Sequence, residues 1–114
     1  MSGKKGITMK TNQNVINNLA MREFEHALKE YNESYDYTIK HLRYCTAEVI
    51  ITKNYYLLRS YNTIVASINR NIGTECDVLH KVYGYSATSA QHISKFFNDY
   101  AVSLSYPAER YIYR

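Results

Sequence analysis

Short segments rich in β-branched and aromatic residues follow one another through the middle of the chain, and polar turns separate them. The segments span residues 37–44, 47–52, 55–61, 63–68 and 74–79. Links this short join neighbouring antiparallel strands, because a parallel crossover needs many more residues. The stretch therefore predicts an antiparallel β-meander of about four strands. Residues 60–63 fit either a turn or a bulge within one long strand.

Apolar residues at helical spacing flank this β region on both sides. Residues 14–31 predict an amphipathic helix that Asn12 or Asn14 can cap, and residues 86–100 predict a second one. Thr88 with Gln91 three residues later fits a capping box for the second helix, and Ser86 is an earlier candidate cap. We therefore predict one α+β domain over residues 13–114, with the meander covered on one face by both helices. Residues 1–12 read as a flexible arm, and residues 111–114 allow a short last strand.

Composition indicates a protein of the cytosol. No apolar run approaches the roughly 20 residues that a membrane-spanning helix needs, and the first residues do not resemble a secretory signal. Cys45 and Cys76 are the only cysteines, and their spacing fits reduced structural thiols. The formal net charge is +4, with an acidic first helix and a basic centre. This distribution allows a polyanionic partner without requiring one.

No pattern of catalytic or metal-binding residues occurs in the chain. The histidines stand alone in sequence, no nucleophile motif is present, and the glycines form no phosphate-binding loop. A metal site assembled in space from Cys76, His80 and His92 is the remaining alternative. We therefore expect a non-enzymatic protein without a cofactor or metal, which acts by binding.

Tyrosine is the unusual feature of the composition, with 13 Tyr against 3 Phe and no Trp. A tyrosine ring suits interfaces, although a small β-rich core also favours aromatic residues. We predict that tyrosines and cations on one sheet face contact the partner, namely Tyr55, Tyr56, Arg59, Tyr61 and Arg70. A protein partner fits this surface, and a small DNA- or RNA-binding regulator that stacks bases is the alternative. Exposed strand edges also allow a homodimer.

Two segments carry a family resemblance. Residues 57–66, Leu-Leu-Arg-Ser-Tyr-Asn-Thr-Ile-Val-Ala, and residues 83–96, Tyr-Gly-Tyr-Ser-Ala-Thr-Ser-Ala-Gln-His-Ile-Ser-Lys-Phe, resemble small uncharacterised proteins of Firmicutes and their phages and plasmids. Proteins of this kind include anti-CRISPR inhibitors, which are short, cytosolic and bind their targets stoichiometrically. The resemblance covers roughly residues 55–100. It implies that the partner is a host defence complex such as a CRISPR effector nuclease. It marks as functional Ser60, Tyr61, Thr63, Ser86, Thr88 and His92.

Overall fold

A computed structural model describes residues 12–114 of the chain. The predicted flexible arm therefore lies, apart from Asn12, outside the described residues. In chain order, the described elements are α1 (Gln13–Glu33), β1 (Thr38–His41), β2 (Glu48–Ile51), β3 (Tyr55–Ser60), β4 (Thr63–Asn69), β5 (Glu75–Asp77), α2 (Leu79–Val82), α3 (Ala87–Tyr100) and β6 (Arg110–Ile112). None of the helices within residues 12–114 combines the length and the apolar character that crossing a membrane requires.

The strands form one sheet in the order β1-β2-β3-β4-β5-β6. The first five strands pair antiparallel, whereas β5 and β6 pair parallel. The α+β class and the meander are as predicted, but the described sheet has six strands and is mixed. The difference arises because α3 carries the chain back across the sheet before β6, so that β6 runs in the direction of β5.

The two long helices lie on opposite faces of the sheet, so the prediction that both cover one face is wrong. Leu57 packs in a cluster with Ala27 of α1, whereas its neighbour Leu58 packs with Ile93 and Phe96 of α3. Successive side chains of a strand point to opposite faces, so both faces of β3 are buried. The central strands have consecutive apolar residues, which supply a buried side chain to each face of the sheet.

Hydrogen bonds and backbone angles at the element ends settle which residues cap the helices and whether residues 60–63 form a turn or a bulge. Asn14 N–H donates to Asn12 Oδ1, and Ser89 N–H donates to Ser86 Oγ, so Asn12 and Ser86 are the N-caps. Tyr61 and Asn62 form a tight turn with φ angles of 51° and 64°. A register shift between Leu58 and Arg59 adds a bulge in the same hairpin, so residues 58–63 contain both features.

Glu30 ties α1 to the turn between β2 and β3. Its carboxylate accepts hydrogen bonds from Thr52 Oγ1 at 2.5 Å, from Asn54 N–H at 2.9 Å and from Asn54 Nδ2 at 2.7 Å. Burial alone would raise the pKa of Glu30, but the hydrogen bonds donated by Thr52 and Asn54 outweigh it, and the pKa is lowered. The carboxylate thus fixes one end of the helix against the sheet.

Candidate binding surface

The five predicted contact residues do not share one face of the sheet. Tyr55 packs beside α1. Arg59 donates a hydrogen bond to Glu48 and lies near Tyr31 of α1, so it is on the same face. Tyr56 instead packs beside α3. Strand alternation separates them, and the expectation of a single aromatic and basic sheet face is therefore wrong. Because a helix covers each face, Tyr55 and Tyr56 are half-buried.

Three of these side chains make defined internal contacts. The Tyr56 ring meets the Tyr100 ring edge-on with centroids 5.0 Å apart, and the Arg70 guanidinium lies 5.0 Å from the Tyr56 centroid. Arg70 also donates to the backbone oxygen of Thr52. Arg59 forms an ion pair with Glu48, with its Nη2 2.8 Å from Glu48 Oε1. Their contact with a partner stays a prediction, and Tyr61 alone among the five is exposed.

Residues marked by the resemblance come together where β3 meets α3. Ser60 Oγ lies 2.9 Å from Ser89 Oγ and 2.9 Å from His92 Nδ1. Ser86 caps the helix that carries Ser89 and His92, and Thr63 pairs with Ser60 across the β3–β4 hairpin. Thr88 is exposed in the first turn of α3. The two segments of the resemblance are thus joined by a polar cluster of the buried Ser60 and Ser89 with the half-buried His92.

Both serines of this polar cluster are buried, and Ser60 holds β3 to Ser89 and His92 of α3. Ser60 is 0% exposed, so a substrate carbonyl cannot reach its hydroxyl. Burial lowers the pKa of His92, which favours the neutral imidazole near neutral pH. Within residues 12–114, no three His, Cys, Asp or Glu side chains converge as metal ligands, and the trio of Cys76, His80 and His92 is therefore not assembled.

Two hairpin tips at one end of the sheet each expose a tyrosine. Tyr44 follows β1 and is 90% exposed, and Tyr61 follows β3 and is 56% exposed. Their φ angles are 60° and 51°, in the left-handed region that bulky side chains rarely adopt. Strained backbone of this kind clusters at functional sites, where the surrounding structure has to hold it in place.

Side chains of α3 line the space between the two tips. Lys95 Nζ lies 5.3 Å from the centroid of the Tyr44 ring, and the Arg43 guanidinium lies 5.4 Å from it. The imidazole of His92, one helical turn before Lys95, lies 6.2 Å from the Tyr61 ring. These residues form an aromatic and basic patch that we call the hairpin-tip surface: Arg43, Tyr44, Tyr61, His92 and Lys95.

Sequence reasoning missed three members of this surface. Arg43 and Tyr44 stood within the predicted first strand, and Lys95 stood among the polar residues of the second helix. An Arg-Tyr pair at the end of an alternating strand is the one local signal. The contact of Lys95 with Tyr44 depends on how α3 packs on the sheet, which no local pattern contains.

The fold and the surface define a small α+β domain with an exposed aromatic and basic end. The chain belongs to a family of unknown function (DUF8033), which matches residues 8–111. It matches no curated protein and no solved structure.

Proposed function

We propose that the chain is a non-enzymatic binding protein whose hairpin-tip surface contacts its partner. The observation that carries the proposal is the pair of exposed tyrosines at positive φ, held beside cationic and imidazole groups of α3. Tyrosine and arginine are enriched where interfaces gain their affinity. Lys95 is not ion-paired by the described carboxylates, whereas Asp99 partly neutralises Arg43 with an Oδ1 to Nη2 distance of 2.9 Å. The surface therefore suits a partner with negative potential.

We propose that the partner is a host defence complex such as a CRISPR effector nuclease. The protein would come from a phage or mobile element, work in the host cytosol, and block nucleic-acid binding or activation. Support comes from the resemblance, because its two segments supply Tyr61, His92 and Lys95 to the surface. A stoichiometric inhibitor of this type needs a rigid, charged contact patch and no catalytic group.

Direct nucleic-acid binding is the second candidate, and the environment of Tyr44 favours it. An exposed ring between two cations can stack a base while Arg43 and Lys95 neutralise phosphates. The salt dependence of binding separates the two functions. Affinity of the isolated protein for single-stranded nucleic acid that falls steeply with salt supports the second candidate. Tight binding to a nuclease complex without such affinity supports the first.

An interference assay tests the leading function. Cells with a CRISPR system that targets a plasmid are transformed with that plasmid, with and without expression of the chain. We expect expression to restore transformation for at least one effector type, and the double variant Y44A/Y61A to abolish the effect. Tyr106, which is 57% exposed, provides the matched control Y106A, which should act like the wild type. Loss of function in Y106A, or full function in Y44A/Y61A, would refute the role of the surface.

A further inference from the structure

The two edges of the sheet differ in how their backbone groups are satisfied. At β6, the side-chain amides of Gln13 and Asn17 donate to the backbone oxygens of Ile112 and Arg114, each at 3.0 Å. β1 forms the other edge, and all four of its residues are exposed. Within residues 12–114, no strand pairs with its outer side. An edge of this kind is a template for another strand.

The β1–β2 register shows which backbone groups of β1 are free. Leu42 N–H donates to the backbone oxygen of Ala47 at 2.7 Å, in continuation of that register. In an antiparallel ladder, residues alternately direct both backbone groups towards the partner strand and away from it. Within β1, Lys40 therefore bonds to β2, whereas Ile39 directs its N–H and C=O groups to the free edge. Tyr37, the residue before β1, would take the same orientation when a second strand pairs there.

We propose that the outer edge of β1 pairs antiparallel with the same edge of a second copy, about a twofold axis at Thr38. Such an axis stands perpendicular to the sheet and keeps side chains on their own face, so opposed residues come from the same face. Centring the axis on Thr38 places Tyr37 opposite Ile39 and Asp36 opposite Lys40. The inference is independent of the proposed function.

Charge and side-chain type select this register over its neighbours. An axis at Lys40 would oppose two like charges, which is unfavourable, and an axis at Ile39 would leave Asp36 opposite Leu42. The Thr38 register instead combines a Thr–Thr pair, an aromatic and β-branched pair and an opposite-charge pair, each of which stabilises antiparallel strands. A lysine on an edge strand normally discourages pairing, but here Asp36 of the second copy neutralises it.

The same register extends an existing apolar layer. Tyr37 and Ile39 are 42% and 40% exposed, and both lie on the α1 face, where the Tyr37 ring meets the Tyr31 ring at 5.0 Å between centroids. Pairing would bring the two copies of this layer together across the axis. The second copy would therefore cover apolar surface that α1 leaves open.

Sedimentation velocity of the full chain over a concentration series at low salt tests the pairing. We expect a concentration-dependent dimer for the wild type. The single variants D36K and K40E should each dissociate with a dissociation constant raised about tenfold, because each introduces two like-charge pairs per dimer. An equimolar mixture of D36K and K40E should dimerise again, since both pairs become opposite in charge. A monomeric wild type, or a mixture as dissociated as its components, overturns the proposal.

Cross-linking tests the register independently of affinity. In a C45S background, T38C should form a disulfide-linked dimer under mild oxidation, because opposed residues at the axis have Cα atoms about 4.5 Å apart. The matched control K40C should remain unlinked. Equal cross-linking of K40C and T38C, or none in T38C, contradicts the axis at Thr38. Circular dichroism of each variant verifies that the fold is intact.

Discussion

Removing the Ser60 hydroxyl tests whether the polar cluster of Ser60, Ser89 and His92 holds α3 on the sheet. In S60A, Ser89 Oγ and His92 Nδ1 each lose the partner that lies at 2.9 Å in the wild type. Each lost hydrogen bond costs about 1 kcal/mol, and a buried polar group left without a partner costs about 1–3 kcal/mol. Since Ser60 and Ser89 are fully buried, we expect a total loss of about 2–3 kcal/mol.

A loss of this size is measurable, because domains of this kind are stable by only about 5–15 kcal/mol. Urea unfolding followed by circular dichroism should show a lower midpoint with an unchanged slope. The melting temperature should fall by about 8–15 °C. S94A is the matched control: Ser94 is exposed on α3, and its replacement should change stability by less than about 0.5 kcal/mol.

The double variant S60A/S89A separates the cluster from simple loss of volume. With both hydroxyls removed, no unpaired serine oxygen remains between strand and helix, so the combined loss should be smaller than the sum of the single losses. Additive losses would show that the two hydroxyls act independently. A stability of S60A within about 0.5 kcal/mol of the wild type would refute the reasoning altogether.

Three further outcomes follow from individual residues. Because burial lowers the pKa of His92, the unfolded chain binds its proton more readily, so stability is full above the ordinary value of 6.5 and falls as the pH drops through it. Melting curves between pH 5 and 8 should show a smaller acid loss for H92Q than for the wild type, and equal pH profiles would contradict this. Burial raises the pKa of the Cys76 thiol to about 12, so in C45S the folded protein should resist alkylation near neutral pH; rapid labelling without denaturant would exclude the buried thiol. Asn tolerates positive φ better than Tyr, so Y61N should be as stable as the wild type or up to about 1 kcal/mol more stable, while it weakens partner binding. Unchanged binding with a clear loss of stability would mean that Tyr61 serves the fold alone.

Local patterns predicted the elements of this fold better than their arrangement. The meander and both long helices followed from periodicity, and Gly73 has the positive φ expected of its loop, at 77°. Two features depend on long-range packing and were not predicted: the parallel pairing of β6 and the placement of the helices on opposite faces. Consecutive buried residues such as Leu57 and Leu58 were the available signal for a sheet covered on both faces.

The candidate surface was predictable only in part, for a related reason. Tyr61 and His92 were marked by the resemblance, but the predicted set around Tyr55 and Tyr56 assumed an open sheet face. Tyr44 has a φ of 60° although it is not glycine, so no turn-forming residue in the sequence indicated this hairpin tip. The surrounding structure imposes positive φ on a bulky residue, so turn-forming residue types in the sequence do not predict it.

The edge pairing and the hairpin-tip surface constrain each other, because β1 continues directly into the tip that carries Tyr44. An axis at Thr38 would place the two tips at opposite ends of a continuous sheet, roughly 40 Å apart at the rise of an extended strand. Two surfaces so far apart cannot meet one small epitope, so a dimer would bind either two partner molecules or two sites on one large complex. Dissociating variants such as K40E then distinguish these cases. Retained potency per chain means that each surface acts alone, whereas a loss of tenfold or more means that both surfaces bind one complex with shared avidity.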